Sequence, residues 1–336
     1  MKIAKRIGKL TAILFGMLII TGLVLSCQST GSTQSAGGVK RDSEAVKAYE
    51  RGDALYKKGA LKEAIAEFTK AIEIEPAWAE AFIMRGYVHG WDDALEFAIN
   101  DYESAAKIDR KYRDFAQGAR YYFVDKDYTK AIEIFNKVIQ NKIFLFIVYT
   151  LRGNCYHETG EFQKAIVDYT EAIKLNPDFY GNYSNRAYAY NQTGQFDKAI
   201  ADCNKAINLY PENFYGYFFR GDAYYGKKDY SRALLDYGQA IKLKPDFAVG
   251  YQGRGFSYYR LENYQNAIDD FTKFIEILFA TEDVHYSLYL LRGHSHFMLG
   301  NYDKASADID IVLKRDPGNE DALWIRGEIR AARAAQ

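Results

Sequence analysis

Small, aromatic and charged residues fall along this chain on one repeating phase. Arg-Gly occurs at Gly52, Gly86, Gly153, Gly221, Gly255, Gly293 and Gly327, and Ala119 and Ala187 fill the two gaps. Successive members stand 34 residues apart, except for one step of 33 and one of 38. Twelve residues after each of the first eight comes an alanine: Ala64, Ala98, Ala131, Ala165, Ala199, Ala233, Ala267 and Ala305. All five prolines share one phase, at Pro76, Pro177, Pro211, Pro245 and Pro317. A fixed period of this size marks stacked units, none of which buries its own apolar face alone.

Aromatic residues keep the same phase. Tyr149, Tyr183, Tyr217, Tyr251 and Tyr289 hold the fourth position, and Tyr122, Tyr156, Tyr190, Tyr224 and Tyr258 the eleventh. Phe68, Tyr102, Phe135, Tyr169, Tyr237 and Phe271 hold the twenty-fourth. Small residues at the eighth and twentieth positions, rings at these three and proline at the thirty-second resemble the tetratricopeptide repeat family. The resemblance covers residues 45–336. It implies an all-α, right-handed superhelical solenoid of about eight helix-turn-helix repeats, at 45–78, 79–112, 112–145, 146–179, 180–213, 214–247, 248–281 and 286–319. Residues 320–336 then form a capping helix. The small residues sit where the two backbones approach most closely, and proline ends the second helix because the residue before it is pushed out of the helical region.

Arginine at the seventh position departs from the family, where leucine is common. It occurs at Arg51, Arg85, Arg152, Arg186, Arg220, Arg254, Arg292 and Arg326. The twenty-third position is acidic at Glu67, Asp101, Asp168, Asp202, Asp236, Asp270 and Asp308. The third repeat lacks both partners, with Gly118 and Ile134 in their places. Joint loss predicts that the two pair within each repeat rather than form a cationic ladder for anions. The pattern breaks twice more, at the apolar run Ile143 to Tyr149 and at a four-residue insertion, 282–285. The run is expected to pack as a junction between repeats. The helix before the insertion is expected to continue through Phe274 to Phe279.

The N-terminus follows a different rule. Lys2, Lys5, Arg6 and Lys9 precede an apolar stretch, Leu10 to Leu25, and then Ser26 and Cys27. This is the layout of a secretory signal peptide over residues 1–26, with an apolar core shorter than the roughly 20 residues a membrane span needs. Cys27 after a small residue resembles the lipobox of bacterial lipoproteins. That resemblance implies cleavage before Cys27, its lipidation, for example with palmitate, and an extracytoplasmic place in the cell envelope. Several acyl chains together make a firm anchor. Gln28 is not the aspartate that holds some such lipoproteins at the inner membrane, which points to the outer membrane where a cell has one. The Ser/Gly/Thr/Gln-rich stretch after Cys27 reads as a flexible linker, 27–44.

Charge and chemistry then narrow the function. Lys+Arg and Asp+Glu are both 44, so no basic surplus exists to neutralise a phosphate backbone, and nucleic acid is not an expected partner. Three cysteines do not make a disulfide scaffold. Cys155 and Cys203 fall on core positions and read as small buried hydrophobes. His89 and His296 replace the packing tyrosine of the eleventh position. No phosphate loop, nucleophile elbow or metal-binding histidine motif is present, so neither catalysis nor a cofactor or metal is expected.

In the resembled family the first helices line a concave groove through the second, fifth, sixth, ninth, twelfth and thirteenth positions. Carried onto this chain, the groove comprises Asn154, Asn185, Tyr188, Gln192, Tyr215, Phe218, Phe219, Tyr225, Phe256 and Tyr259, with Asp222 among the aromatic residues. Asn154 and Asn185 match two asparagines with which some members grip a peptide backbone. The basic residues that catch a terminal carboxylate in those members are absent, since Thr150, Tyr215 and Phe219 stand there. The expected partner is therefore another protein, bound as an extended segment with aromatic or aliphatic anchors. The expected function is that of a membrane-tethered adaptor. The alternative is an accessory protein of an envelope transporter that holds a small molecule or lipid in the same groove.

Overall fold

The computed structural model describes residues 41–90, 94–143, 145–278 and 286–335. The leader 1–26, Cys27 with its expected lipid, the linker up to residue 40, Phe144 and the insertion 282–285 lie outside the described residues.

The described residues form seventeen α-helices and no strand. In chain order these are α1 Ser43–Lys57, α2 Leu61–Ile74, α3 Ala79–His89, α4 Leu95–Ile108, α5 Arg113–Arg120, α6 Tyr128–Gln140, α7 Leu145–Glu158, α8 Phe162–Leu175 and α9 Tyr180–Gln192. They continue with α10 Phe196–Leu209, α11 Phe214–Gly226, α12 Tyr230–Leu243, α13 Ala248–Arg260, α14 Tyr264–Ile277, α15 Tyr286–Met298, α16 Tyr302–Arg315 and α17 Glu320–Ala334. Each odd helix packs on the even helix that follows it, so the all-α repeat array implied by the period is the fold. The array falls into two compact units, described residues 41–212 and 213–335.

The repeat chemistry acts where backbones meet. All eight alanines of the twentieth position are fully buried, from Ala64 to Ala305. At Gly86 an added Cβ would lie 2.8 Å from the Asp101 Cβ and 2.9 Å from the Ala98 carbonyl oxygen, so no side chain fits without moving backbone. Helices that precede a proline stop two residues before it. The intervening Glu75, Asn176, Tyr210, Lys244 and Asp316 are extended, with ψ between 81 and 93°.

Three details differ from the expected layout. The stretch expected to be flexible ends early, because α1 begins at Ser43 and Asp42 caps it by accepting from the Glu44 and Ala45 amides. Arg41 sits over Trp78, 4.4 Å from the ring centroid, and pairs with Glu75 and Glu80. In the third repeat the first helix is broken into a 3-10 turn, Arg110–Tyr112, the short α5 and a π-helical turn, Tyr121–Asp125. There Gly118, which stands where other repeats carry arginine, meets the Phe135 ring, since an added Cβ would lie 2.7 Å from it. Helix α14 ends at Ile277 with Leu278 as its C-cap, and Phe279, to which it was expected to run, lies outside the described residues. The apolar run after the third repeat packs inward as expected, with Phe146, Ile147 and Val148 buried.

Candidate interaction surface

Seven arginines meet seven acids, each sixteen residues on. Arg85, Arg152, Arg186, Arg220, Arg254 and Arg292 each donate through Nε and Nη2 to both oxygens of Asp101, Asp168, Asp202, Asp236, Asp270 and Asp308, at 2.6–2.9 Å. Arg51 reaches Glu67 at 2.8 Å. The aspartates are buried and the arginines part-buried. The third guanidinium nitrogen does something the sequence reading missed. Nη1 of Arg85, Arg186 and Arg292 donates to Thr69, Thr170 and Thr272 of the preceding repeat at 2.9–3.1 Å, and that of Arg152 donates to Asn136. Each of the seven arginines thus ties its own hairpin together, and Arg85, Arg152, Arg186 and Arg292 also stitch theirs to the one before. The signal lay in the hydroxyl or amide residue one step after the aromatic twenty-fourth position. These charges are structural and are not offered to a ligand.

Within residues 41–212 the inner face closes on itself. Ile83, Met84 and Val88 are fully buried, and Tyr56 and Tyr87 meet with ring centroids 6.3 Å apart. Phe179, the last residue of the fourth repeat, lies against Tyr56 of the first at 6.2 Å. Tyr210 crowds the first turn so closely that a Cβ on Gly59 would lie 2.5 Å from its ring. One continuous apolar cluster includes Tyr56, Tyr87, Phe123, Leu151, Phe179 and Tyr180. Inward positions of the first two repeats are therefore core and not groove.

This closure changes the roles of the polar candidates. Asn154 is buried, and its Oδ1 accepts from the Tyr169 hydroxyl at 2.9 Å and from the Asn185 Nδ2 at 3.3 Å. The two amides face each other instead of jointly facing outward, because the ring at the twenty-fourth position carries a hydroxyl that needs an acceptor. Thr150 is likewise buried, donating to the Phe146 carbonyl and to Asn182. Tyr188 is buried in a stack on His157, with centroids 4.4 Å apart and Phe162 edge-on. Of this group Gln192 alone is exposed.

Residues 213–335 present a different inner face. Phe218 packs between Tyr237 and Phe247, and Phe256 against Phe271, so both are core residues. Tyr215 stacks on Phe219 at 5.7 Å. Beyond them a row of rings and polar groups crosses four first helices. The Tyr225 hydroxyl accepts from Arg260 Nε at 3.2 Å, and the Tyr259 hydroxyl lies 3.0 Å from His294 Nδ1. His294 in turn stacks on Trp324, which is 46% exposed. Asp222 stands within this face, accepting from the Tyr237 hydroxyl at 2.7 Å. Burial lifts its carboxyl to about 7, and that hydrogen bond pulls the other way.

Among the described residues no group of three or more His, Cys, Asp or Glu could hold a metal ion. Cys155 and Cys203 are buried free thiols. Burial drives the Cys155 thiol up, away from the reactive range. Among the described residues no helix is long and apolar enough to cross a membrane.

Tetratricopeptide repeat profiles match residues 146–179, 183–213 and 290–334, and a TPR repeat profile matches 52–90 and 221–262, more than half of the chain together. The chain belongs to the tetratricopeptide repeat family. It is 30% identical over 83 residues to Hsp70-Hsp90 organizing protein 3 of Arabidopsis thaliana, a match over 24% of this chain and 15% of that protein. The fold is similar to that in the crystal structure of the APC/C hetero-tetramer Cut9-Hcn1, with 18% identity and a TM-score of 0.66. That match covers 83% of this chain and 54% of the other. MamA from Desulfovibrio magneticus RS-1 is 18% identical with a TM-score of 0.47, over 50% of this chain and 95% of that one. The repeat chain thus spans a minor part of the curated relative and about half of the first of these structures.

Proposed function

We propose that this tetratricopeptide repeat protein is an interaction scaffold that binds an extended segment of a partner protein along the inner face of residues 213–335. The observation that carries this reading is the row from Tyr225 and Arg260 through Tyr259 and His294 to Trp324. It offers rings with hydrogen-bonding tips, the side chains that most often anchor protein partners. The sequence supports a tether: residues 1–27 have the layout of a lipoprotein leader, which would hold the scaffold outside the cytoplasm on the cell envelope. The likeness to a relative named for organizing Hsp70 and Hsp90 supports the protein-binding part.

The test is in vivo photo-crosslinking from Tyr225, with Leu235 of α12, 73% exposed, as the control position. Recurrent protein adducts from Tyr225 that are missing from Leu235 support the reading. Adducts only from Leu235 would move the interaction to the other face of the hairpin. Labelling with radioactive palmitate, expected in the wild type and lost on Cys27→Ala, tests the anchor separately.

A further inference from the structure

Six buried aspartates of the twenty-third position each have an arginine within 2.9 Å. Asp222 has none among the described residues. It stands at the ninth position of its repeat, on the inward side of α11, and its one hydrogen bond among them comes from Tyr237. Arg220 on the same helix donates to Asp236, and Arg254 on α13 donates to Asp270. Arg260 donates Nε to the Tyr225 hydroxyl.

The charge at 222 is also more than the fold requires. The fourth repeat makes the same contact, a tyrosine of the twenty-fourth position donating to a ninth-position oxygen, with a neutral acceptor, Asn154, at 2.9 Å. A tyrosine hydroxyl needs an acceptor and not a charge. Asp222 is only partly buried. A carboxylate partly withdrawn from water without a cation is unfavourable, and a cation that reaches it from the open side recovers that loss. The surroundings suit a particular kind of cation. Tyr215, Phe219 and Tyr225 lie on the same helical stripe, seven and three residues before Asp222 and three after it. Rings flanking a carboxylate cover the methylene stem of a lysine or arginine while its head reaches the acid, and they attract the cation themselves. An acidic segment would be repelled.

We infer that Asp222 is a selectivity subsite that takes a lysine or arginine side chain of the partner segment, its stem laid along the part-exposed rings of Tyr225 and Tyr215. This deepens the scaffold reading and rests on it. The experiment is selection of displayed random dodecapeptides against the purified full-length chain and against Asp222→Asn. Peptides selected by the wild type should carry lysine or arginine at one fixed place. Replacing that residue by glutamine in a synthetic copy should weaken binding about tenfold, as expected for one charge-assisted hydrogen bond. The Asp222→Asn protein should bind both copies alike. The readout is the ratio of two affinities on one protein, which partial unfolding leaves unchanged. Peptides selected without a basic residue, or undiminished discrimination by Asp222→Asn, would overturn the subsite alone. Failure of the wild type to select any peptide would overturn the scaffold reading and the subsite together.

Discussion

Tyr56 of the first repeat and Phe179, the last residue of the fourth, meet with ring centroids 6.2 Å apart and an interplanar angle of 25°. The contact skips the intervening repeats and closes the inner face of residues 41–212. It is not a nearest-neighbour contact, the kind that ordinarily stabilises a repeat array. Phe179→Ala removes a fully buried ring and is expected to cost about 3–5 kcal/mol. A finer comparison uses two glycines with left-handed backbones, Gly59 at φ 73° and Gly160 at φ 75°. An added Cβ meets nothing within 4 Å at Gly160 but lies 2.5 Å from the Tyr210 ring at Gly59. Gly160→Ala should cost roughly 1–2 kcal/mol from backbone strain alone. Gly59→Ala should cost clearly more in urea unfolding, and equal costs would mean that the closure is not made in solution.

The arginine ladder makes a prediction of opposite signs. Asp202→Asn leaves Arg186 part-buried beside a neutral amide and should destabilise by about 3 kcal/mol, the low end for a buried pair, since the guanidinium keeps some contact with water. Replacing both residues, Arg186→Met with Asp202→Leu, removes the charges together and should recover most of that loss. Thermal melts of the two single variants and the double variant decide it. A double variant as unstable as the sum of the singles would show that the two charges do not act on each other, and the prediction would fail.

The ladder was legible because the repeats act as an internal alignment: Gly118 and Ile134 lose the two partners together, and that reveals the pairing. The eight buried alanines were legible for the same reason. The closure by Phe179 was not, since a period encodes how each repeat meets the next and says nothing about contacts between distant ones. The surroundings of Asn154 were hidden by the same limit. Its position matches a groove residue, yet the Tyr169 hydroxyl and the filled inner face turn it into a buried internal acceptor. Asp222 stood among the groove positions in the sequence, and only the missing arginine around it sets it apart.

Among the described residues four other than glycine have left-handed backbones, Lys126, Lys142, Lys228 and Glu262, and the last two are the plainest cases of avoidable strain. Lys228 at φ 62° and Glu262 at φ 58° occupy the left-handed position that Gly160, Gly194 and Gly300 fill elsewhere in the array. A side chain in this conformation costs about 1–2 kcal/mol. Part of that returns as the greater freedom glycine has in the unfolded chain. Lys228→Gly and Glu262→Gly should therefore each stabilise by about 1 kcal/mol, read as a raised urea midpoint with unchanged slope. A lowered midpoint for either would show that the side chain contributes more in its turn than the strain removes.

Asp222 should leave a mark on the pH dependence of stability. Its carboxyl is raised to about 7 in the folded chain by burial, against roughly 4 in the unfolded chain. The folded state then holds the proton more tightly, so stability present below pH 4 is lost as the pH climbs from roughly 4 towards about 7. Asp222→Asn cannot ionise and should lack that loss. The wild type should therefore weaken relative to the variant between pH 5 and pH 8, measured as urea midpoints at both values. The groups that act on this carboxyl are few, its burial and the Tyr237 hydroxyl, so Tyr237→Phe should steepen the same loss. Parallel profiles for wild type and Asp222→Asn would mean that the carboxylate is already neutralised or solvated in the folded chain, and the case for a cation at this place would fail with it.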